Sequence, residues 1–187
     1  KILKAFKKAI KNITNFHKKQ LPQNYEIDEK DLQTGLLWKP IQSVGLYVPA
    51  GKAIYPSSLI MNVVPAKVAG VKRIVVVTPS TNNHINPYIL ALLDILEIQE
   101  VYQIGGAQAI AALAYGTKII HPVNKIFGPG NAYVTCAKKQ VFGKVGIDLI
   151  AGPSEIVVVA DINNNPEWVA SDLIAQAEHD ERAQSIL

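Results

Sequence analysis

The sequence has one cysteine, Cys136, so no internal disulfide can form and a reducing compartment is the natural expectation. It has no apolar run near the roughly 18 residues that a membrane-crossing helix needs. The charged start, apolar middle and small-residue cleavage site of a secretory leader are also missing. A cytoplasmic chain without a membrane partner is therefore expected. Neither G-x-G-x-x-G nor a P-loop occurs, so no single motif announces a nucleotide. Acidic residues are absent from positions 1–19, which hold seven lysines (1, 4, 7, 8, 11, 18 and 19). Of 19 basic and 15 acidic groups, 12 basic and all 15 acidic ones follow that segment, so the remainder stands at −3 although the whole stands at +4. Basic character confined to one end argues against a nucleic-acid face on the fold.

What is present suits a globular protein. A chain of 187 residues with 49% hydrophobic content can bury a sizeable core in one or two domains. Ile2, Phe6, Ile10, Ile13 and Phe16 recur at helical spacing among the lysines. That pattern predicts a basic amphipathic helix whose stripe packs on its own protein, although such helices can also bind membranes or acidic partners. His17, near its end, reads as structural. Leu21 to Pro40 mixes turn formers and charges, with a short extended piece at Leu36 to Trp38, and reads as a crossing between domains.

From Ser43 onward, strand and helix patterns alternate. Strands are predicted at Ser43–Val48, Arg73–Thr78, Glu100–Ile104 and Lys125–Phe127. Helices are predicted at Ser57–Gly70, with a bend or break near Pro65, and at Pro87–Ile98, Gly106–Tyr115 and Asn131–Phe142. Such alternation implies right-handed crossovers and a mostly parallel sheet covered on both faces. Ligands of such sheets bind beyond the carboxyl ends of the strands. Tyr47, Gly105, Gln108 and Gly128 to Asn131 fall at those ends, with Ser154 beside a fifth strand. Gly105-Gly106 and Gly128-Pro129-Gly130 precede helices, where they could expose amides to a pyrophosphate or simply make tight turns. Cys136 reads as a buried, inert thiol within its helix. His84 and His121 match no motif.

Residues 151–180 read as turn, strand, turn and helix. Ile156 to Ala160 is a branched apolar run of the kind buried on both faces of a parallel sheet. Asn165-Pro166-Glu167 supplies a cap, a residue suited to the first helical position and a charge favoured at the positive end of the dipole. On that helix Gln176 and His179 lie together, with Asp172 four residues before Gln176. An amide oxygen beside an imidazole could be half of a zinc site, or merely two solvated polar residues.

The phrases GLYVPAG (45–51), GGAQAIAALAYGT (105–117), KIFGPGNAYV (125–134), AGPSE (151–155) and SDLIAQAEHD (171–180), in this order, resemble histidinol dehydrogenase. The resemblance implies a Rossmann-like, mostly parallel α/β sheet with helices on both faces, inserted into a second α/β domain that is incomplete here. Residues 1–24 and 154–187 would belong to that domain and 25–153 to the NAD-binding one. It implies NAD contacts at Tyr47, Gln108 and Asn131, substrate contacts at Ser154, Gln176 and His179, and zinc ligation by Gln176 and His179. The remaining zinc ligands, an Asp and a His, and the catalytic Glu-His pair are expected beyond Leu187, so the chain alone should be inactive. The implied reaction is oxidation of L-histidinol through histidinal to L-histidine with two NAD, one zinc per subunit and a homodimer. Two other readings remain: an aldehyde dehydrogenase-like enzyme with Cys136 as nucleophile, and a non-catalytic nucleotide-binding module.

Overall fold

The structure is a computed structural model that describes residues 1–50, 54–80, 84–150, 152, 154–178 and 183–187. The chain divides into two compact units, Lys1–Ile150 and Ala151–Leu187.

The first unit is built on a five-stranded parallel sheet of β3 (Ser43–Tyr47), β4 (Arg73–Val77), β5 (Glu100–Tyr102), β6 (Lys125–Phe127) and β7 (Gly146–Ile147). Its order is β5-β4-β3-β6-β7. Period-two alternation decides which side chain goes where. Val44, Leu46 and Val76 turn to one face, and Tyr47, Val75, Val77 and Ile126 to the other. The first face is covered by α2 (Pro56–Val68) and α3 (Pro87–Ile95), the second by α4 (Gly106–Tyr115) and α5 (Ala132–Val141). Gly45 makes close packing possible, because a Cβ there would lie 2.8 Å from Leu113 Cδ1 of α4. Asn86 accepts the Tyr88 N–H at 2.9 Å and so caps α3 ahead of Pro87.

Of the bend or break expected near Pro65, the break does not occur; α2 runs on to Val68. Pro65 costs one hydrogen bond in the last turn, while Leu59, Ile60, Val63 and Val64 are fully buried, and that packing prevails. The fifth strand of the sheet is β7, two residues that carry no periodicity of their own, and not the run after Ser154.

α1 (Ile2–Lys18) lies along α2. Phe6, Ala9, Ile10 and Ile13 pack against the apolar cluster on that face, while Ile2 and Phe16 at the stripe's ends stay exposed. His17 bonds Gln20 through Nδ1 at 2.7 Å, a local closure of the helix end. Residues 21–40, expected as a crossing with a short extended piece, contain an antiparallel hairpin of β1 (Tyr25–Glu29) and β2 (Leu32–Leu36). Its register brings Tyr25 opposite Leu36 and Ile27 opposite Thr34, and Tyr25, Ile27, Leu32 and Leu36 are exposed.

The second unit contains β8 (Glu155–Val157), α6 (Pro166–Ala177) and β9 (Gln184–Ile186), with β8 and β9 parallel. Asn165 caps α6 by accepting the Glu167 N–H at 2.9 Å, with Pro166 at the first helical position, as the sequence predicts. The expectation of a strand buried on both faces does not hold: β8 has β9 as its only strand neighbour among the described residues, and Val159 and Ile162 beyond it are exposed. Among the described residues no helix is long and apolar enough to cross a membrane.

Candidate functional site

Chain order in the sheet reverses between β3 and β6: β4 and β5 lie to one side of β3, β6 and β7 to the other. The helices that follow the two central strands leave toward opposite faces, so their connecting loops diverge and open a crevice at the carboxyl ends. Tyr47 closes β3 there and Gly128-Pro129-Gly130-Asn131 follows β6.

Tyr47 is 4% exposed, and its hydroxyl accepts the Gly106 N–H at 3.1 Å. One of the open amides at the start of α4 is thus already held by the protein. Gln108, one turn into the helix, is exposed and folds back over the same residue: a Cβ on Gly106 would lie 2.9 Å from Gln108 Oε1. The structure therefore brings Tyr47 and Gln108 together at Gly106.

The loop after β6 is held more tightly. Gly128 has φ +116°, and a Cβ on it would sit 2.1 Å from the Tyr47 carbonyl oxygen, so no other residue fits. Its N–H donates to Asp148 Oδ2 at 2.8 Å, and its carbonyl accepts from Lys138 Nζ at 3.0 Å. Lys138 and Asp148 form an ion pair, with only 5% of the lysine side chain exposed. At Gly130 a Cβ would meet Val134 Cγ1 at 2.4 Å, and Asn131 Oδ1 accepts the Val134 N–H at 3.1 Å, capping α5. This is a glycine cradle at the positive end of a ten-residue helix, a geometry that suits a phosphate.

Lys138 and Asp148 were not foreseen from sequence. The signal was there: α5 buries Val134, Lys138 and Val141, so a lysine occupies the apolar stripe. The same periodicity corrects the reading of Cys136, which falls off that stripe and is exposed. Its thiol accepts the Gln140 Nε2–H at 3.4 Å, and no base is placed to activate it among the described residues.

In the second unit, Gln176 Nε2 donates to the Ser154 carbonyl at 3.3 Å, which joins two of the predicted substrate residues. His179 lies outside the described residues. Among the described residues no group of three or more His, Cys, Asp or Glu could hold a metal. Gln176 alone offers one neutral oxygen, well short of the about four ligands of a zinc site, so the described donor set does not make one. His121 contributes its carbonyl to Arg73 Nη2 at 3.1 Å, a loop contact, and His84 lines a cavity of about 320 Å³ beside Thr78, Pro79 and Asn86.

A parallel sheet with this strand order, helices on both faces and a glycine turn at its switch point defines the Rossmann-like class of α/β folds. Within that class, the family model for histidinol dehydrogenase matches residues 1–187, and the chain belongs to this family. It is 58% identical over 188 residues to histidinol dehydrogenase of Rhizobium meliloti (strain 1021), covering 100% of the chain and 43% of that relative. Histidinol dehydrogenase 1 of Nostoc sp. (strain PCC 7120 / SAG 25.82 / UTEX 2576) is 58% identical over 184 residues, covering 98% of the chain and 43% of the relative. A crystal structure of histidinol dehydrogenase from Elizabethkingia anophelis superposes with a TM-score of 0.93 at 41% identity, covering 98% of this chain and 43% of that one. The chain thus spans less than half the length of the relatives it matches.

Proposed function

We propose that this chain supplies the cofactor-binding part, and one edge of the substrate site, of an NAD-dependent L-histidinol dehydrogenase. The whole enzyme would oxidise L-histidinol through histidinal to L-histidine. The observation that carries this reading is the Gly128–Asn131 cradle at the start of α5, set at the switch point of the sheet.

NAD, when bound, supplies the hydride acceptor, twice for each histidinol, with water providing the acid's second oxygen. The chain's own residues bind and orient. The cradle would hold the pyrophosphate at the start of α5, and Asn131, whose oxygen caps the helix, would have its NH₂ group left for the cofactor. Gln108 lies across the second glycine turn, whose first helical amide Tyr47 holds in place. In the second unit, Ser154 and Gln176, joined by a hydrogen bond from the Gln176 amide to the Ser154 carbonyl, would contact the substrate. Zinc, one per subunit, would be held by Gln176 and His179 with an Asp and a His carried outside these 187 residues, as would be the Glu-His acid/base pair.

On this reading residues 1–24 and 154–187 belong to one domain and 25–153 to the other. The start of the second unit at Ala151 supports the second boundary; α1, which has no fully buried residue and lies along α2, falls in the first unit. The exposed apolar side of the β1–β2 hairpin is consistent with a homodimer, and the lone cysteine with a cytoplasmic setting. The deciding assay is NADH formation from L-histidinol by the full-length protein. Two NADH per histidinol, abolished by a zinc chelator, is the expected result; turnover of simple aldehydes alone, dependent on Cys136, would overturn the reading.

A further inference from the structure

We infer that Lys138 and Asp148 are positioning residues of the cofactor site: their buried pair fixes the Gly128 peptide and thereby presents the Pro129–Asn131 turn to the pyrophosphate of a dinucleotide. The inference rests on the proposed reading of that turn. It starts from a lysine that packing does not explain. Residue 138 lies on the buried stripe of α5 between Val134 and Val141, where an apolar side chain would fill the same space without desolvating an ammonium. A buried ammonium is tolerated only when paired and hydrogen-bonded, and here both partners converge on one residue. Lys138 Nζ holds the Gly128 carbonyl, Asp148 Oδ2 holds the Gly128 N–H, and the two side chains hold each other.

Both polar groups of a single backbone residue are therefore fixed by one ion pair. That residue is the first after β6, at the strand-order reversal, and has the left-handed φ from which the turn departs. Two further contacts hold the other end: Gly130 packs directly on Val134, and Asn131 caps α5. The turn is clamped at both ends before any ligand arrives, which lowers the ordering cost of binding. Asp148 Oδ1 also accepts the Leu149 N–H at 2.7 Å, so the carboxylate itself is fixed in orientation. With 5% of its side chain exposed, Lys138 acts through Gly128 and not as a direct phosphate ligand.

The test separates a positioning role from a merely structural one by removing first half and then all of the pair in the full-length protein. Lys138→Met strands a part-buried carboxylate and should lower the urea midpoint while raising the Kd for NAD, measured by titration calorimetry. In Lys138→Met/Asp148→Leu no buried charge is left unpaired, so the midpoint should return toward the parent's. The Kd for NAD should stay raised roughly ten-fold, because Gly128 is no longer held. In turnover, the KM for NAD should rise while that for histidinol does not. A double variant with the parent's NAD affinity would overturn the inference. If the double variant does not fold, Lys138→Met decides, since it frees the Gly128 carbonyl: a raised KM for NAD with an unchanged KM for histidinol supports the clamp, and NAD binding like the parent's overturns it. A parent protein that binds no NAD would instead sink the reading of the turn itself.

Discussion

The hydroxyl of Tyr47, at the end of the first central strand, accepts the backbone N–H of Gly106, 59 residues later, at 3.1 Å. A phenol that closes a strand thus also holds the start of α4, the helix that covers that face of the sheet, within a site where Tyr47 is 4% exposed. Tyr47→Phe keeps the ring and removes the acceptor. Its expected cost is about 0.5–1.5 kcal/mol in chemical denaturation, the worth of one buried hydrogen bond. An unfolding midpoint equal to the parent's would show that the hydroxyl contributes nothing to holding α4.

Gly128→Ala should be far more damaging. The left-handed φ alone costs an alanine about 1–2 kcal/mol. The Cβ would also fall 2.1 Å from the Tyr47 carbonyl oxygen, which is backbone and cannot rotate aside. We expect a loss of about 3 kcal/mol or more, at the severe end of single substitutions. Thermal unfolding within a degree of the parent's would contradict the geometry of the loop.

Asn131 has a split role that two substitutions resolve. Asn131→Ala removes the cap of α5 and should cost about 1 kcal/mol of stability. Asn131→Asp keeps a capping oxygen, and so the stability, but places a negative charge where the pyrophosphate is proposed to sit. Its NAD affinity should fall at least as far as that of the alanine variant. Gln108→Ala, on an exposed face, should leave stability within about 0.5 kcal/mol and weaken NAD a few-fold. Titration calorimetry beside urea unfolding reads all three. Parent-like NAD affinity in Asn131→Asp would place the phosphates elsewhere.

At the amino ends of the strands, Arg73 and Glu100 meet in a two-pronged contact, Nε to Oε1 and Nη2 to Oε2, both 2.8 Å. The Arg73 hydrogen bond holds the Glu100 carboxyl below its ordinary value, with burial opposing and the guanidinium charge assisting. The folded value is therefore the lower of the two. The pair's contribution is complete above the unfolded carboxyl value of about 4.3 and is lost as pH falls through the folded value. Since both side chains are partly exposed, Glu100→Gln should cost only about 0.5–1 kcal/mol at pH 7. Urea midpoints of parent and variant should converge toward pH 2. A gap that persists undiminished in acid would mean that the charge of Glu100 is irrelevant.

The elements of the main sheet from β3 to β6 were legible because each obeys one period. Branched runs such as Arg73–Val77 mark parallel strands, and caps such as Asn165-Pro166-Glu167 mark helix starts. Sequence reading failed where another force decides. The hairpin of residues 25–36 has no strong turn signal and half-polar strands, so only pairing reveals it. Pro65 announces a bend or break, and burial of its neighbours keeps the helix continuous. Lys138 looks like one more surface lysine beside Lys139 until the helix is wound and its side chain points inward. Cys136 fails for the complementary reason, being a usually buried residue type on the outer face. On the site, the sequence placed Tyr47, Gln108 and Asn131 at one crevice but said nothing of Asp148, whose role depends on a two-residue strand. Ser154 and Gln176 do meet, whereas the expectation for His179 falls outside the described residues.

The strand order also bears on how the molecule assembles. Ser43 pairs early with Arg73, but its clasp with Asn124, in which one carboxamide oxygen accepts both the N–H and the hydroxyl of Ser43, must close 81 residues. Loop closure of that length is entropically slow, so the β3–β4–β5 half can form before β6 and β7 dock on it. The crevice lies at the carboxyl end of the seam between those halves. A dinucleotide lying across it would act as a splint on the last-formed junction, making ligand a determinant of folding yield and of resistance to proteolysis as well as of turnover.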